Sequence, residues 1–187
     1  KSLVHPYVPR FPRHISYDLV LFGSWRRKGV YVGEKQIASP GSYPVAGFNF
    51  APMYNLNYKF RFGISLDGVY DGSANVYTED ALVEYDAGSG SSRRKFLVPG
   101  IQHQLALGLS GRAEYVMPFF TIGVGLGTNV LGRGDLRGLY QVFALKINVT
   151  RSSFLHIGYN LQNFQTPNYL MLGLGFRFHN KYPKVRH

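Results

Sequence analysis

Two runs of alternating residues near the end of the chain constrain its fold more than any other feature. In residues 154–178, FLHIGYNLQNFQTPNYLMLGLGFRF, the side chains of Leu170, Leu172, Leu174, Phe176 and Phe178 fall on one face at a period of two. Tyr169, Met171, Gly173, Gly175 and Arg177 fall on the other. A period of two belongs to a strand and not to a helix. A greasy face opposite a small or polar one is the pattern of a strand with lipid on one side and a filled or wet lumen on the other.

The pattern recurs along the chain. Strands are expected at about His14–Trp25, Val45–Leu56, Lys59–Asp71, Gly100–Ala113, Met117–Val130, Leu139–Val149 and Ser153–Asn163, and the final run makes eight. Ile15, Tyr17, Leu19 and Leu21 oppose Ser16, Asp18 and Val20. Phe48, Phe50 and Tyr54 oppose Asn49, Met53 and Asn55, and Phe60, Phe62, Ile64 and Leu66 oppose Arg61, Gly63, Ser65 and Asp67. Leu105, Leu107 and Leu109 oppose Gln102, Gln104 and Ser110. Pro52 removes a ladder donor, so a bulge is expected there. Long connections (about 26–44, an irregular 72–98, and the loop LGRGDLRG) alternate with short turns near Asn57, near Glu114 and at Thr150–Ser152, and a short outer loop spans Gln165–Asn168. Long loops outside and short turns in the periplasm are the rule for outer-membrane barrels. The expected fold is therefore all-β: an eight-stranded antiparallel transmembrane β-barrel with both termini periplasmic. Residues 1–13 form a Pro-rich periplasmic arm, 14–178 the barrel and 179–187 a basic periplasmic tail.

Composition fits this and narrows the alternatives. The 187 residues suffice for one domain, and no run of 18 apolar residues is available for a membrane helix. A mean hydropathy of −0.12 is compatible with a membrane barrel, because every second strand residue faces inward. The absence of cysteine excludes a disulfide framework and thiolate metal sites. No signal peptide is visible, and Lys1 fits the start of a processed chain. A soluble eight-stranded ligand-binding barrel remains an alternative. It would have to crowd many Phe and Leu side chains into an interior barely wide enough for side chains.

The net charge of +11 invites a nucleic-acid reading, but its placement points elsewhere. Arg26, Arg27, Lys28, Arg93, Arg94, Lys95, Arg133 and Arg137 fall in the three long loops, with Lys35 beside them. Arginine pairs with phosphate bidentately, so this rim is a candidate site for lipopolysaccharide phosphates. Glu79, Asp80, Glu84 and Asp86 would partly neutralise it. The tail cations Lys181, Lys184 and Arg186 suit a periplasmic partner or a solvated end. Asp18, Arg61, Asp67, Lys146, His156 and Arg177 lie centrally in strands and are expected to form a paired network that plugs the lumen. The six histidines show no metal-ligand spacing, and no cofactor is expected. His103 reads as a lone strand residue on an apolar face. Arg133-Gly134-Asp135 and Asn148-Val149-Thr150 match an adhesion tripeptide and a glycosylation acceptor, matches too short to count.

Three segments carry a family resemblance: Tyr58-Lys59-Phe60-Arg61-Phe62-Gly63 running to Asp67-Gly68-Val69-Tyr70-Asp71, then Leu139-Tyr140-Gln141, then the ending from Asn168 to Phe178. Over roughly residues 14–178 the chain resembles the lipid A deacylase and acyloxyacyl-hydrolase-like barrels of the outer membrane, particularly those of Bacteroidota. The resemblance implies an eight-stranded barrel in the outer membrane of a Gram-negative bacterium. It also implies a serine esterase on the outer wall, with a His-x-Ser motif late in strand seven and a downstream acid. That chemistry needs a hydroxyl, a base and an orienting carboxylate. Here the one comparable stretch is His156-Ile157-Gly158, with glycine in place of serine. Counting back from the chain's end puts Asn163 at the histidine position and Asn168 or Met171 at the acid position. Strands seven and eight contain no Asp or Glu, and Ser152 and Ser153 sit at the opposite end.

The function expected from these observations is contact without catalysis. The chain reads as a structural or accessory subunit of a larger outer-membrane assembly, with a basic rim for lipopolysaccharide and with outer-membrane or periplasmic proteins as partners. The alternatives are an active lipid A deacylase with an unusual catalytic set, and a soluble ligand-binding barrel.

Overall fold

The computed structural model describes residues 10–26, 29–32, 35–38, 42–75, 77–85, 92–97, 100–164 and 166–182. Side chains within 29–38 and 77–97, that of Asp135 and those of 166–168 lie outside the description. Twelve strands are present among the described residues: β1 (His14–Arg26), β2 (Gly29–Val32), β3 (Lys35–Ala38), β4 (Tyr43–Asn55), β5 (Phe60–Asp71), β6 (Tyr77–Tyr85), β7 (Ser92–Leu97), β8 (Leu105–Val116), β9 (Phe120–Leu131), β10 (Leu139–Asn148), β11 (Ser153–Gln162) and β12 (Thr166–Phe178). Eight of them close a barrel in the order β1-β12-β11-β10-β9-β8-β5-β4. Each barrel strand is antiparallel to its chain neighbour in the barrel. β1 pairs with both β4 and β12, which leaves no open edge.

Inward and outward residues alternate as the sequence pattern requires. On β1, His14, Ser16, Asp18 and Val20 are buried while Ile15, Tyr17 and Leu21 are exposed. On β5, Arg61, Ser65 and Asp67 are buried and Phe60, Phe62 and Ile64 exposed. The outer wall is a continuous apolar surface and the lumen is lined mostly by polar groups, the inverse of a soluble protein. No helix among the described residues is long and apolar enough to cross a membrane.

Local chemistry sets the turns. Asn57 Oδ1 accepts the backbone N–H groups of Lys59 and Phe60, both at 2.8 Å, which reverses the chain between β4 and β5. Thr150 does the same between β10 and β11, its Oγ1 accepting from Ser152 at 3.2 Å and Ser153 at 3.0 Å. At this terminal end the Phe11 ring meets Tyr58 at 4.8 Å and Tyr182 at 5.0 Å. His14 Nε2 accepts the backbone N–H of Lys181 at 3.1 Å, tying the chain's entry to its exit.

Several expectations need correction. The connections at 26–44 and 72–98 are not irregular throughout, because β2 pairs with β3 and β6 with β7 as two hairpins. Pro52 produces no bulge: β4 pairs Phe50 with Leu66 and resumes at Met53 with Gly63 in the same register. There is no turn at Glu114, since β8 runs to Val116 and the reversal comes at 117–119. Gln102 and His103 lie in a 3-10 turn (Ile101–His103) ahead of β8, and Gln102 is exposed and not inward. The last loop is shorter than expected, because β12 already begins at Thr166.

Candidate functional site

Asp18 is the centre of the lumen near the terminal end. Arg61 Nη2 donates to its Oδ2 at 2.6 Å, Lys146 Nζ to the same oxygen at 2.8 Å, and Arg177 Nε to Oδ1 at 2.9 Å. Glu114 completes the cluster, taking Arg61 Nε at 2.6 Å and Lys146 Nζ at 2.7 Å; Arg61 Nη2 also contacts it. Strand register explains the meeting. Asp18 is opposite Arg177 across β1 and β12, Arg61 is opposite Glu114 across β5 and β8, and Lys146 reaches over from β10. The Phe154 ring supports two of the cations, with Lys146 Nζ 5.0 Å and Arg177 Cζ 5.2 Å from its centroid.

A second cluster surrounds Asp67, closer to the long loops. Its carboxylate accepts from Asn49 Nδ2 at 2.7 Å, Ser65 Oγ at 2.5 Å, Ser110 Oγ at 2.6 Å, Tyr140 Oη at 2.6 Å and Arg112 Nη2 at 2.9 Å. Above it Phe22, Val45, Val142, Tyr169 and Met171 pack as an apolar layer. Spaces of about 30 Å³ near Tyr140 and about 10 Å³ near His156 remain in the lumen, the larger with room for about one water. The lumen is a plug of side chains.

The expected lumen residues thus divide. Asp18, Arg61, Lys146 and Arg177 meet, and Asp67 belongs to a separate group. His156 is buried beside Lys146, but neither ring nitrogen has a hydrogen-bond partner, which corrects its expected membership of a paired network. Glu114 and Arg112 were not anticipated. The signal was available: Ser110, Arg112 and Glu114 continue the inward period of β8.

At the loop end, Arg26 donates to Asp71 Oδ2 at 2.8 Å. Asp71 also accepts from Ser73 N at 2.9 Å and Ser73 Oγ at 2.6 Å. Arg133 and Arg137 are exposed, and Arg133 Nη1 lies 3.4 Å from His103 Nε2. His103 therefore stands in a turn at the rim and not on a strand. Arg27 and Lys28 lie outside the described residues, as do the side chains of Arg93, Arg94 and Lys95 on β7.

The outer wall bears on catalysis. The four carboxylates with described side chains, Asp18, Asp67, Asp71 and Glu114, all point inward and all hold a cation. The described outward residues of β11 and β12 include Leu155, Ile157, Tyr159, Leu170, Leu172 and Leu174, with Ser153, Phe176 and Phe178 toward the terminal end. Gly158 and Asn160 face the lumen. No group of three metal-ligating side chains occurs among the described residues.

A family model described as acyloxyacyl hydrolase, C-terminal domain, matches residues 15–180. No curated protein matches the sequence. Among solved structures, Ail, the attachment invasion locus protein of Yersinia pestis, superposes with a TM-score of 0.45 at 15% identity, covering 88% of this chain and 98% of that one. Its complex with the heparin analogue sucrose octasulfate gives the same TM-score and coverage at 13% identity. Neisserial surface protein A gives a TM-score of 0.40 at 14% identity, covering 89% and 96%.

Proposed function

The chain belongs to the acyloxyacyl hydrolase C-terminal-domain family and is an outer-membrane barrel of a Gram-negative bacterium, and from that premise we propose that it works by contact and not by hydrolysis. It binds lipopolysaccharide through the cationic loop end and serves as an accessory subunit of a larger outer-membrane assembly. Both termini lie on the periplasmic side in this reading, because the short turns share their end of the barrel.

One observation carries the reading. An esterase acting on a membrane lipid needs its hydroxyl, base and carboxylate on the wall the lipid touches. Here every described carboxylate is inside the lumen holding a cation, and His156 is inside as well. Among the described outward positions of β11 and β12, the stretch toward the loop end offers hydrocarbon and the phenol of Tyr159, and the one further hydroxyl, Ser153, lies at the terminal end beside Phe176. The rim supports lipid binding through Arg133 and Arg137, which are exposed cations at the end opposite the termini.

Incubation of the purified barrel with lipopolysaccharide, followed by mass spectrometry of the lipid A, tests the non-hydrolytic part. The expected mass is unchanged, and loss of one acyl chain would overturn it. Purification from native membranes tests the subunit part: a stoichiometric co-eluting protein is expected, and a strictly solitary barrel rules the subunit out.

A further inference from the structure

The outer wall is not uniformly bulky. On β8 the outward series runs Leu105, Leu107, Leu109, Gly111, Ala113, Tyr115, so two small residues interrupt a ridge of large ones. Their lateral neighbours are large. Ile64 and Leu126 flank Gly111, and Phe62 and Val124 flank Ala113. With strands about 4.8 Å apart, the two walls stand about 10 Å from each other across the small residues. The result is an apolar trough of about 450 Å³ on the lipid-facing surface.

The loop end of the trough is closed by a polar group. Gln141 faces outward on β10, in register with Leu126. Its side chain lines the trough yet is only 4% exposed. Gln141 Oε1 accepts the backbone N–H of Phe164 at 2.9 Å. That bond holds Phe164, which is 66% exposed, as a flap at the trough's mouth. Asn163 and Phe164 both adopt left-handed backbone, at φ of 50° and 60°; asparagine tolerates it, whereas a bulky residue such as Phe164 takes it only when held there. Gln141 Nε2 has no partner. An amide donor buried without a partner at the edge of hydrocarbon is costly, and the occupant that relieves it must be apolar along its length and carry an acceptor at one end.

A fatty acyl chain with its ester or amide carbonyl has that chemistry. The mouth also adjoins the basic rim, since Gln162 Nε2 donates to the carbonyl of Arg137 at 3.1 Å and Arg137 is exposed there. We propose that the trough over Gly111 and Ala113 seats one acyl chain of a lipopolysaccharide molecule, with Gln141 Nε2 donating to the chain's carbonyl. This rests on the loop end facing outward, as in the function proposed above. The trough runs over β5, β8, β9 and β10 and meets the β11–β12 loop at Phe164, and no described residue within β11 or β12 lines it. The chain is held and not cleaved.

The test is native mass spectrometry of the full-length barrel in detergent, titrated with lipopolysaccharide and separately with phosphatidylglycerol. Gly111→Leu fills the trough, and the fold leaves room for it, because the nearest atom to an added Cβ is the carbonyl of Leu126 at 4.0 Å. Gln141→Leu keeps the side-chain volume and removes the donor together with the acceptor that holds Phe164. Gly111→Leu is expected to lower lipopolysaccharide affinity at least tenfold, and Gln141→Leu by about tenfold, the worth of one hydrogen bond. The rim pair Arg133→Ala/Arg137→Ala is measured alongside. Slot variants that bind like wild type while the rim pair fails would overturn the acyl site and leave the rim reading standing. The reverse result supports the acyl site and removes the rim. An equal loss of phosphatidylglycerol binding in the slot variants would overturn the assignment to lipopolysaccharide, and a wild type that binds neither lipid would overturn both readings. Heat-modifiable gel migration checks folding; if Gly111→Leu fails it, Gln141→Leu decides alone.

Discussion

Neutralising Asp18 is the sharpest probe of what holds the barrel together. The carboxylate receives Arg61 at 2.6 Å, Lys146 at 2.8 Å and Arg177 at 2.9 Å inside the lumen. The cluster carries three cations and two anions, so Asp18→Asn raises its net charge from +1 to +2 at almost constant volume. Glu114 still holds Arg61 and Lys146, but Arg177 loses its ion pair. Breaking a buried pair by removing one partner costs about 3–5 kcal/mol, mostly as the penalty of a stranded charge. The asparagine amide oxygen still accepts one hydrogen bond, so about 3 kcal/mol is expected. Denaturant titration in detergent micelles, read as the folded fraction by gel migration, measures it. The strain should fall if the stranded cation is removed too. Asp18→Asn/Arg177→Met is expected to be more stable than the sum of the single variants by about 1–3 kcal/mol. A shift below about 1 kcal/mol for Asp18→Asn, or strict additivity in the double variant, would refute the claim that this network is a stability determinant.

Other outcomes follow from single contacts. Gly175→Val should destabilise by about 1–3 kcal/mol in the same titration, because an added Cβ would lie 2.1 Å from the Phe154 ring, which supports Lys146 and Arg177. Gly158→Ser should gain no hydrolysis of lipopolysaccharide by mass spectrometry. Its new side chain would face the lumen against Met171 Cε at 2.6 Å and His156 Nε2 at 2.7 Å, and a gain would contradict that placement. Tyr182→Ala should cost about 1–2 kcal/mol and free the chain ends to exchange amide hydrogens, since it removes an edge-to-face contact with Phe11 at 5.0 Å and one with His14 at 5.9 Å.

The barrel was legible in the sequence because its two solvents differ. Each wall strand must alternate between lipid and lumen, so Leu170, Leu172 and Leu174 opposite Met171 and Gly173 fix the facing without any knowledge of neighbours. What joins to what was not legible. Arg61 meets Glu114 and Asp18 meets Arg177 only through strand register, which no single strand specifies. Glu114 was lost for a further reason: a charge near a strand end reads as a turn, although its period with Ser110 and Arg112 marked it as inward. The hairpins β2–β3 and β6–β7 lie in polar loops such as Tyr77–Tyr85, YTEDALVEY, where a continuous hydrophobic face is missing. The Gln141 site was hidden because one outward polar residue among Leu139, Phe143 and Leu145 has no pattern of its own. Its meaning comes from Phe164, brought over it by a loop.

The same division of the barrel bears on how far this chain stands from family chemistry. Its described acids are tied up in the lumen, where Asp18, Asp67 and Glu114 offset Arg61, Arg112, Lys146 and Arg177. Moving one outward would strand a cation, and adding one to the wall would place a bare carboxylate against lipid, which is expensive at membrane depth. Hydrolysis would need a hydroxyl, a base and an acid together on a surface now built from Leu155, Ile157, Leu170, Leu172 and Leu174 around Tyr159. No single substitution supplies that set. Holding a lipid needs less: the small pair Gly111 and Ala113, one amide at Gln141 and cations at the rim are already in place. On the proposed reading the wall retains an acyl chain and does not cleave it, and the lumen keeps the described acids paired with cations and away from the lipid.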